Sequence, residues 1–251
     1  MIFSDQIDAE VLRSCLNTGT GRGVSVGILD SGVSCQLPIL EGCVEGNFEV
    51  DQIGDSDEYR VKQVPLGEDT IAHGTACAHI IHSHAAAAAL FSMQVIGSTH
   101  SAPTPKLVAA LEFAVDQKWD ILNISLGNEM LTPEIAELAD RAFYNGTLVI
   151  AAKDNKPGKI GYPAACASVL AVDMDFFDEP LKFRFHENNP VEVEGSGVYI
   201  DCPLPNGTMQ SYTGSSFACP HITAIAARLR EHFPQMTMDQ FRAALRVLGE
   251  T

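Results

Sequence analysis

The sequence is poor in basic residues: its 16 lysines and arginines are outnumbered by 32 aspartates and glutamates, which leaves a net charge of −16. Proteins hold nucleic-acid phosphates with lysine and arginine side chains, so we expect no nucleic-acid partner. An acidic surface attracts basic ligands, but it can also serve solubility alone. The charge balance therefore excludes one class of partner and leaves the others open.

Long apolar runs are also missing from the sequence. No stretch is apolar for long enough to cross a bilayer, and residues 1–8 lack the basic segment and apolar run of a secretory signal peptide, so we expect no membrane partner. The seven cysteines are scattered, with no Cys-x-x-Cys pair, which argues against a disulfide framework and a zinc site. Together these absences predict a cytoplasmic protein with reduced thiols.

What the sequence does contain is apolar strands that alternate with helices. Hydrophobic residues make up 46% of the 251 residues, enough for a sizeable core. Strands are predicted over 24–29, 90–96, 121–125, 147–152 and 169–172, and helices over 5–16, 73–84, 106–118, 133–144, 216–230 and 238–248. Residues 49–60 are predicted to form an acidic loop, and residues 176–213 to be rich in β structure. This alternation predicts an α/β fold whose parallel sheet is covered by helices on both faces.

Three polar motifs stand out against this pattern. Asp30 follows the first strand, His73 opens a helix, and Ser216 opens another within the sequence GSSFACPH at 214–221. Pro220 is predicted to lie in the first turn of that helix, where proline is tolerated. Each motif alone is typical of a turn or a helix cap. In the order Asp, His, Ser, they supply the carboxylate, the base and the nucleophile of serine hydrolysis.

Six motifs of this chain resemble those of the subtilisin-like serine proteases, the subtilase family, nearly end to end. They read VGILDSG at 26–32, HGT at 73–75, NISLG at 123–127, VIAAKDN at 149–155, GYP at 161–163 and GSSFACPH at 214–221. The resemblance implies a three-layer subtilisin-like fold with a mostly parallel central sheet and helices on both faces. It also implies that residues 1–251 form a single peptidase catalytic domain without a propeptide.

The resemblance further implies a role for each site residue. His73 would take the proton of the Ser216 hydroxyl, and Asp30 would hold the imidazole. The side-chain amide of Asn155 and the backbone N–H of Ser216 would bind the oxyanion of the tetrahedral intermediate. The residues expected to bind the substrate are Ser101, Ala102, Ser125, Leu126, Gly127, Ala152, Asp154 and Gly161.

The expected specificity pocket departs from the family pattern. Asp154 stands where the family has a glycine in the pocket wall, so it would favour a basic residue before the scissile bond. Lys156 would favour an acidic or polar residue instead. If the two charges neutralise each other, a bulky apolar residue is expected, since Gly161 adds no side chain to the pocket floor.

No metal and no cofactor are expected. The alanine-rich connection that follows the helix at 73–84 is too short and too apolar for a cage of oxygen ligands around calcium. The spacing of His79, His82 and His84 does not place three metal ligands on one helical face. The glycines of GTGRG at 19–23 precede their strand, whereas a dinucleotide-binding motif follows one.

These observations predict a cytoplasmic serine endopeptidase that cleaves a peptide or protein substrate through an acyl-enzyme. Processing of a precursor peptide is one hypothesis for its biological role. The alternative is a non-catalytic peptide-binding module on a subtilase scaffold, which the altered turn at 152–155 keeps open. A cofactor-using α/β enzyme is a third, weaker interpretation.

Overall fold

A computed structural model describes residues 8–34, 36–97, 102–204 and 206–250, and in them eleven strands are joined by six α-helices. The strands are β1 (Ser25–Asp30), β2 (Val44–Gln52), β3 (Tyr59–Val64), β4 (Ala89–Gln94), β5 (Ile121–Ile124), β6 (Leu148–Ala152), β7 (Leu170–Asp175), β8 (Phe183–Phe185), β9 (Val193–Ser196), β10 (Ile200–Pro203) and β11 (Met209–Tyr212). The helices are α1 (Ala9–Thr18), α2 (His73–His84), α3 (Thr104–Asp116), α4 (Pro133–Asn145), α5 (Ser215–His232) and α6 (Met238–Leu248). A short 3₁₀ helix spans Pro38–Leu40.

Nine of the strands form one sheet in the order β3-β2-β4-β1-β5-β6-β7-β9-β8. The pairs from β2 to β9 along this order are parallel, and only the outer pairs β2–β3 and β8–β9 are antiparallel. Strands β10 and β11 form a separate antiparallel pair. The prediction of a mostly parallel central sheet is confirmed.

Helices cover both faces of the sheet, because successive residues of each buried strand point to opposite sides. In β6, Leu148 and Ile150 belong to the core under α1, α2, α5 and α6, whereas Val149 and Ala151 belong to the core under α3 and α4. The predicted three-layer α/β arrangement is therefore confirmed. No helix in the described ranges is long and apolar enough to cross a membrane.

Two local predictions need correction. The helix predicted over 5–16 begins at Ala9, where the Asp8 side chain accepts the N–H of Glu10 at 2.9 Å, and the predicted first residue, Asp5, lies outside the described residues. The acidic loop predicted over 49–60 is confined to the turn at 53–58, since residues 49–52 belong to β2 and residues 59–60 to β3, which pair antiparallel. Charges on this pair suit the edge of the sheet, where β3 is the outermost strand, and Lys62 lies 2.9 Å from carboxylates of both Glu49 and Asp51.

A buried histidine lies where α5 packs against the end of α2. His221 of α5 is 3% exposed, and its Nδ1 donates to the carbonyl oxygen of Phe217 at 2.9 Å. The His84 ring at the end of α2 lies 5.4 Å from it, centroid to centroid. Burial, together with repulsion from His84, lowers the pKa of His221 from its ordinary value of 6.5 to about 4.

This histidine should make the protein sensitive to acid. Between about pH 6.5 and pH 4 the unfolded chain binds a proton at residue 221 that the folded chain does not, so the free energy of unfolding falls as the pH falls through that window. The pKa shift of His221 corresponds to a loss of up to about 3 kcal/mol. In His221→Asn, urea unfolding measured at pH 4.5 and pH 7 should show a smaller difference than in the wild type.

A second uncharged substitution, His221→Gln, should reduce the pH dependence of the unfolding free energy in the same way, because it also removes the titrating ring. An equally steep acid loss in His221→Asn and in the wild type would contradict the assignment.

Candidate active site

A buried carboxylate lies at the carboxyl end of β1. Asp30 is 1% exposed, and its Oδ1 accepts the N–H of Ser31 at 2.7 Å. The same oxygen lies 2.8 Å from Nδ1 of His73, the first residue of α2. Because a carboxylate can only accept, the Nδ1 of His73 carries the proton and its Nε2 is left as a proton acceptor.

Two glycines allow α2 to start this close to β1. A Cβ on Gly74 would lie 2.2 Å from the carbonyl oxygen of Gly32, and a Cβ on Gly32 would lie 2.1 Å from that of Glu68. Gly32 also has a φ of +95°, which side chains disfavour. With the two backbones in contact, the N–H of Gly74 donates to Ser31 Oγ at 2.8 Å. Larger residues here would move His73 away from Asp30.

A second carboxylate organises the loop that leads into α2. Asp69 Oδ1 accepts the N–H groups of Ile71 and Ala72 at 3.1 and 2.9 Å, and Oδ2 accepts the N–H and hydroxyl of Thr75 at 2.9 and 2.7 Å. These bonds hold Ala72 in the left-handed region, at a φ of 61°. Asp69 was not among the residues predicted from the sequence, although an aspartate a few residues before a helix is a known capping signal.

The surroundings of His73 change its acidity. Burial of the ring disfavours the charged form, but the charge and hydrogen bond of Asp30 and the charge of Asp69 outweigh it. The pKa of His73 is therefore raised above its ordinary value of 6.5. Below this raised pKa the imidazole is protonated and cannot act as a base.

Ser216 is the second residue of α5, and its carbonyl oxygen has no partner within the helix. Pro220 causes this: it is the sixth residue of α5, beyond the first turn in which it was predicted, and it has no N–H to donate. The oxygen instead accepts the Ser125 hydroxyl at 2.9 Å, and the Cys77 sulfur lies 3.5 Å away. The position of Ser216 is thereby fixed against the end of β5.

Ser125 is itself held by a buried amide. Asn123, in β5, is fully buried and donates from Nδ2 to Ser125 Oγ at 3.0 Å, while its Oδ1 accepts the hydroxyl of Thr223 at 3.0 Å. Ser125 was predicted only to bind substrate. Its hydroxyl also links the sheet to α5.

The side chain of Asn155 is oriented by the residue before Ser216. Its Oδ1 accepts the N–H and the hydroxyl of Ser215 at 3.0 and 3.1 Å. A Cβ placed on Gly214 would lie 3.2 Å from Ser216 Oγ and 3.5 Å from Asn155 Nδ2, so both atoms border one small space that glycine leaves open. The N–H of Ser216, in the first turn of α5, also lacks a helical acceptor. Two donors and a hydroxyl therefore lie close together.

These groups line a cleft of about 300 Å³. Its walls include His73, Asn155 and Ser216 together with most of the predicted substrate-binding residues, namely Ala102, Ser125, Leu126, Gly127, Ala152, Asp154 and Gly161. The cleft also includes residues that the sequence analysis did not single out as site residues, namely Ile96, Asn128, Lys153, Ile160 and Ser215. Ser101 lies outside the described residues.

The cleft brings together a hydroxyl, an imidazole backed by a carboxylate, and amide donors. Asp30 lies behind His73, away from the cleft wall. Within the described ranges no hydrogen bond joins Ser216 Oγ to His73, although catalytic hydrogen bonds are often long before a substrate binds. This set can add a hydroxyl to a carbonyl carbon and stabilise the oxyanion that results.

The donor atoms of Asp30, His73 and Cys77 lie within 4.8 Å of one another, a spacing that could also hold a metal ion. Burial, then the charge of Asp30, raises the pKa of Cys77 well above its ordinary value, so the thiol stays protonated. A metal needs the thiolate as its ligand. The arrangement therefore suits a hydrogen-bonded set better than a metal site.

Comparisons with known proteins point to one family. Residues 21–247 match the model of the subtilase family. Subtilisin E of Bacillus subtilis (strain 168) is 28% identical over 254 residues, which cover 96% of this chain and 63% of that protein. The intracellular serine protease of Paenibacillus polymyxa is 28% identical over 232 residues, covering 86% of this chain and 69% of its own length. Among solved structures, Sphericase has a TM-score of 0.75 at 21% identity, covering 93% of this chain and 87% of that one.

The contribution of Asp69 to His73 can be measured directly. In an NMR titration of the His73 ring protons, we expect a midpoint above about 6.5 in the wild type. Asp69→Asn removes one of the charges that favour the imidazolium, so the midpoint should move to lower pH. His73→Gln identifies the resonance.

Glu68→Gln, which removes the neighbouring charge, is the matched control and should leave the His73 midpoint in place. If Asp69→Asn and the wild type titrate at the same pH, Asp69 does not act on the imidazole.

Proposed function

The chain belongs to the subtilase family, and from that premise we propose that it is a serine endopeptidase of the subtilisin type, with Ser216 as nucleophile, His73 as base and Asp30 as the residue that orients the base. One observation carries the proposal. His73, hydrogen-bonded to the buried Asp30 at 2.8 Å, lines the same cleft as Ser216 and the Asn155 amide. A peptide bond that enters this cleft meets a nucleophile, a base and oxyanion donors at once.

The reaction proceeds in two halves. His73 Nε2 takes the proton of Ser216 Oγ as the oxygen attacks the carbonyl carbon, and Asn155 Nδ2 and the Ser216 N–H donate to the oxyanion. When the carbon–nitrogen bond breaks, His73 gives the proton to the leaving amine and an acyl-enzyme remains. Water, deprotonated by His73, then hydrolyses the ester and restores the Ser216 hydroxyl.

Asp30 supports both halves without changing its own charge. Its Oδ1 accepts the N–H of Ser31 and the Nδ1–H of His73, and the Cys77 sulfur lies 3.7 Å from its Oδ2. These contacts stabilise a carboxylate that is almost fully removed from water. The ionised Asp30 keeps the proton on Nδ1 and stabilises the imidazolium that forms during the reaction.

The substrate backbone is proposed to bind along residues 125–127. The backbone of Asn128 is already paired with Tyr162, through two hydrogen bonds of 2.8 Å. Immediately before it, the backbone groups of Leu126 and Gly127 take part in none of the hydrogen bonds found in the described part of the chain. Open backbone groups beside a cleft are what an extended peptide needs in order to add as a strand.

Elsewhere along the cleft, Ala102 lines the wall directly before Pro103, which has no N–H and precedes α3. Proline cannot take part as a donor in strand pairing. Recognition there is therefore proposed to be weaker than along residues 125–127.

A cytoplasmic location is proposed on two grounds. Two relatives carry the names intracellular serine protease and major intracellular serine protease. The six cysteines in the described ranges are all free, which suits a reducing compartment. A protease in that compartment must spare its neighbours, and this favours a dedicated precursor peptide as substrate over general digestion.

The second candidate, a peptide-binding module without catalysis, is favoured by one observation only. Within the described residues Ser216 Oγ does not reach His73 by a hydrogen bond, so the nucleophile is not yet activated. A peptide could occupy the cleft without being cleaved.

Labelling with a fluorophosphonate separates the two candidates. We expect the wild type to be labelled and to cleave a mixed peptide library, and we expect Ser216→Ala to lose both activities. Ser168→Ala is the matched control, because Ser168 is buried away from the cleft and should keep labelling and turnover. A wild type that binds peptides but is neither labelled nor active would instead indicate the binding module.

Asn155→Asp tests the oxyanion donor. The new carboxylate keeps an oxygen that can accept the Ser215 N–H, but it loses the amide donor. We expect a folded protein whose kcat falls by at least about 10²-fold with little change in KM, since loss of one such donor in a subtilisin costs about 10²–10³-fold. Steady-state kinetics and the melting temperature measure the two effects. A near-normal kcat would show that Asn155 is not an oxyanion donor.

A further inference from the structure

Gly161, the residue expected to form the floor of the specificity pocket, lines the cleft and adds no side chain to it. Gly161 has a φ of +78°, and a Cβ there would lie 3.4 Å from the carbonyl oxygen of Asn128 and 3.5 Å from Cβ of Asp154. A side chain other than glycine would be strained at this φ and would fill the floor. The side chain beside the floor is therefore that of Asp154, which lines the same cleft.

Only one oxygen of the Asp154 carboxylate accepts a hydrogen bond within the described part of the chain. Its Oδ1 accepts the N–H of Lys156 at 2.8 Å. Over the described part of the chain its Oδ2 accepts no hydrogen bond, and no lysine or arginine forms an ion pair with it. One carboxylate oxygen thus remains for a ligand.

The lysines nearby are held by other acids. Lys153, which also lines the cleft, places Nζ 3.0 Å from Asp173 Oδ2. Lys156 and Lys159 both bind Glu129, the latter at 2.9 Å. Their hydrogen bonds lower the pKa of Glu129 to about 2, so this carboxylate is ionised and can pair with both cations at neutral pH. Lys156 feels the charge of Asp154 across space but makes no side-chain contact with it.

The pairing of the lysines with other acids favours one of the substrate residues expected for the pocket, the basic one, over the acidic and the apolar ones. Neutralisation of Asp154 by Lys156 would favour a bulky apolar substrate residue, but Glu129 takes Lys156 instead. An apolar side chain seated on the floor would cover Asp154 Oδ2 without replacing its hydrogen bonds to water, which is unfavourable. A cationic side chain would supply a donor and a charge together.

We propose that Asp154 makes the cleft selective for a lysine or arginine side chain immediately before the scissile bond, while Glu129 withholds Lys156 and Lys159 from the pocket. The proposal rests on the peptidase function and names its substrate class. The ammonium or guanidinium group binds Asp154 Oδ2, and the aliphatic part of the side chain lies over Gly161. The net charge of −16 adds a general attraction for basic peptides.

The test uses three fluorogenic peptides that differ only in the residue before the cleaved bond, which is lysine, its uncharged analogue norleucine, or glutamate. In the wild type, kcat/KM for the lysine peptide should exceed that for norleucine by at least about tenfold, with glutamate the poorest. Asp154→Asn should bring the ratio of lysine to norleucine close to one. Asp140→Asn, a change of the same kind on α4, should keep the wild-type ratio.

Glu129→Gln provides an independent arm. It releases two lysines beside the pocket, so the preference for lysine should fall although Asp154 is intact. An active wild type that cleaves the norleucine or glutamate peptide at least as well as the lysine peptide would overturn the proposal. So would an unchanged ratio in Asp154→Asn.

Binding of benzamidine separates this proposal from the proposed function. Ser216→Ala cannot turn over substrate, but by calorimetry it should bind benzamidine, and Ser216→Ala combined with Asp154→Asn should not. Binding that depends on Asp154 in a wild type that cleaves no peptide would support the cation pocket and reject the peptidase. Cleavage of peptides with no binding of benzamidine would support the peptidase and reject the cation pocket.

Discussion

The burial of one charge, the carboxylate of Asp30, constrains most of the structure around the cleft. A carboxylate that is 1% exposed is tolerable only when hydrogen-bond donors surround it, and its main donor is the first residue of α2. The helix must therefore begin against the end of β1, which the close contact of Gly32 and Gly74 permits. Asp69 holds the preceding loop in the strained conformation that this start requires. Since α2 packs along α5, the same constraint also determines where Ser216 lies relative to His73.

Ser216, the proposed nucleophile, is positioned by a helix and a strand together. Pro220 interrupts the hydrogen bonding of α5 and so frees the carbonyl oxygen of Ser216, which costs the helix one bond. The hydroxyl of Ser125, at the end of β5, donates to this carbonyl oxygen in place of a helical N–H. The fully buried Asn123 in turn donates to the Ser125 hydroxyl and keeps it in place. Groups held by regular elements keep their geometry better than groups on loops. The gap in the hydrogen bonding of α5 thus allows Ser216 to bond directly to the end of β5.

The sequence predicted those elements whose signal lies in neighbouring residues. It did not predict the contacts that depend on residues far apart in the chain. The bounds of α2 and α6 were predicted correctly, because helical periodicity is a local signal, and α6 begins with a capping box. The two ends of the segment 49–60 were predicted as loop, because a strand pair at the edge of a sheet carries charges as a loop does. Asp69 was missed, since its carboxylate accepts three backbone N–H groups and the Thr75 hydroxyl, and their positions depend on the left-handed conformation of Ala72. The ion pairs of Glu129 with Lys156 and Lys159 span 27 and 30 positions (156 − 129 and 159 − 129). No local sequence pattern predicts pairs at that separation.

The proposed catalytic residues and the proposed pocket residues lie in different parts of the fold, so a substitution could change the specificity and leave the chemistry intact. Asp30, His73 and Ser216 are held by β1, α2 and α5, whereas Glu129, Asp154 and Gly161 belong to connections after β5 and β6. A substitution among the latter changes the charge of the pocket and leaves the buried hydrogen bonds of Asp30 intact. The two sources of charge also act at different ranges: the acidic surface attracts a basic peptide over a distance that salt shortens, while a carboxylate in contact with its ligand is screened far less. In the proposed peptidase, selectivity would therefore lie in the pocket, and the surface charge would govern only how often a peptide arrives.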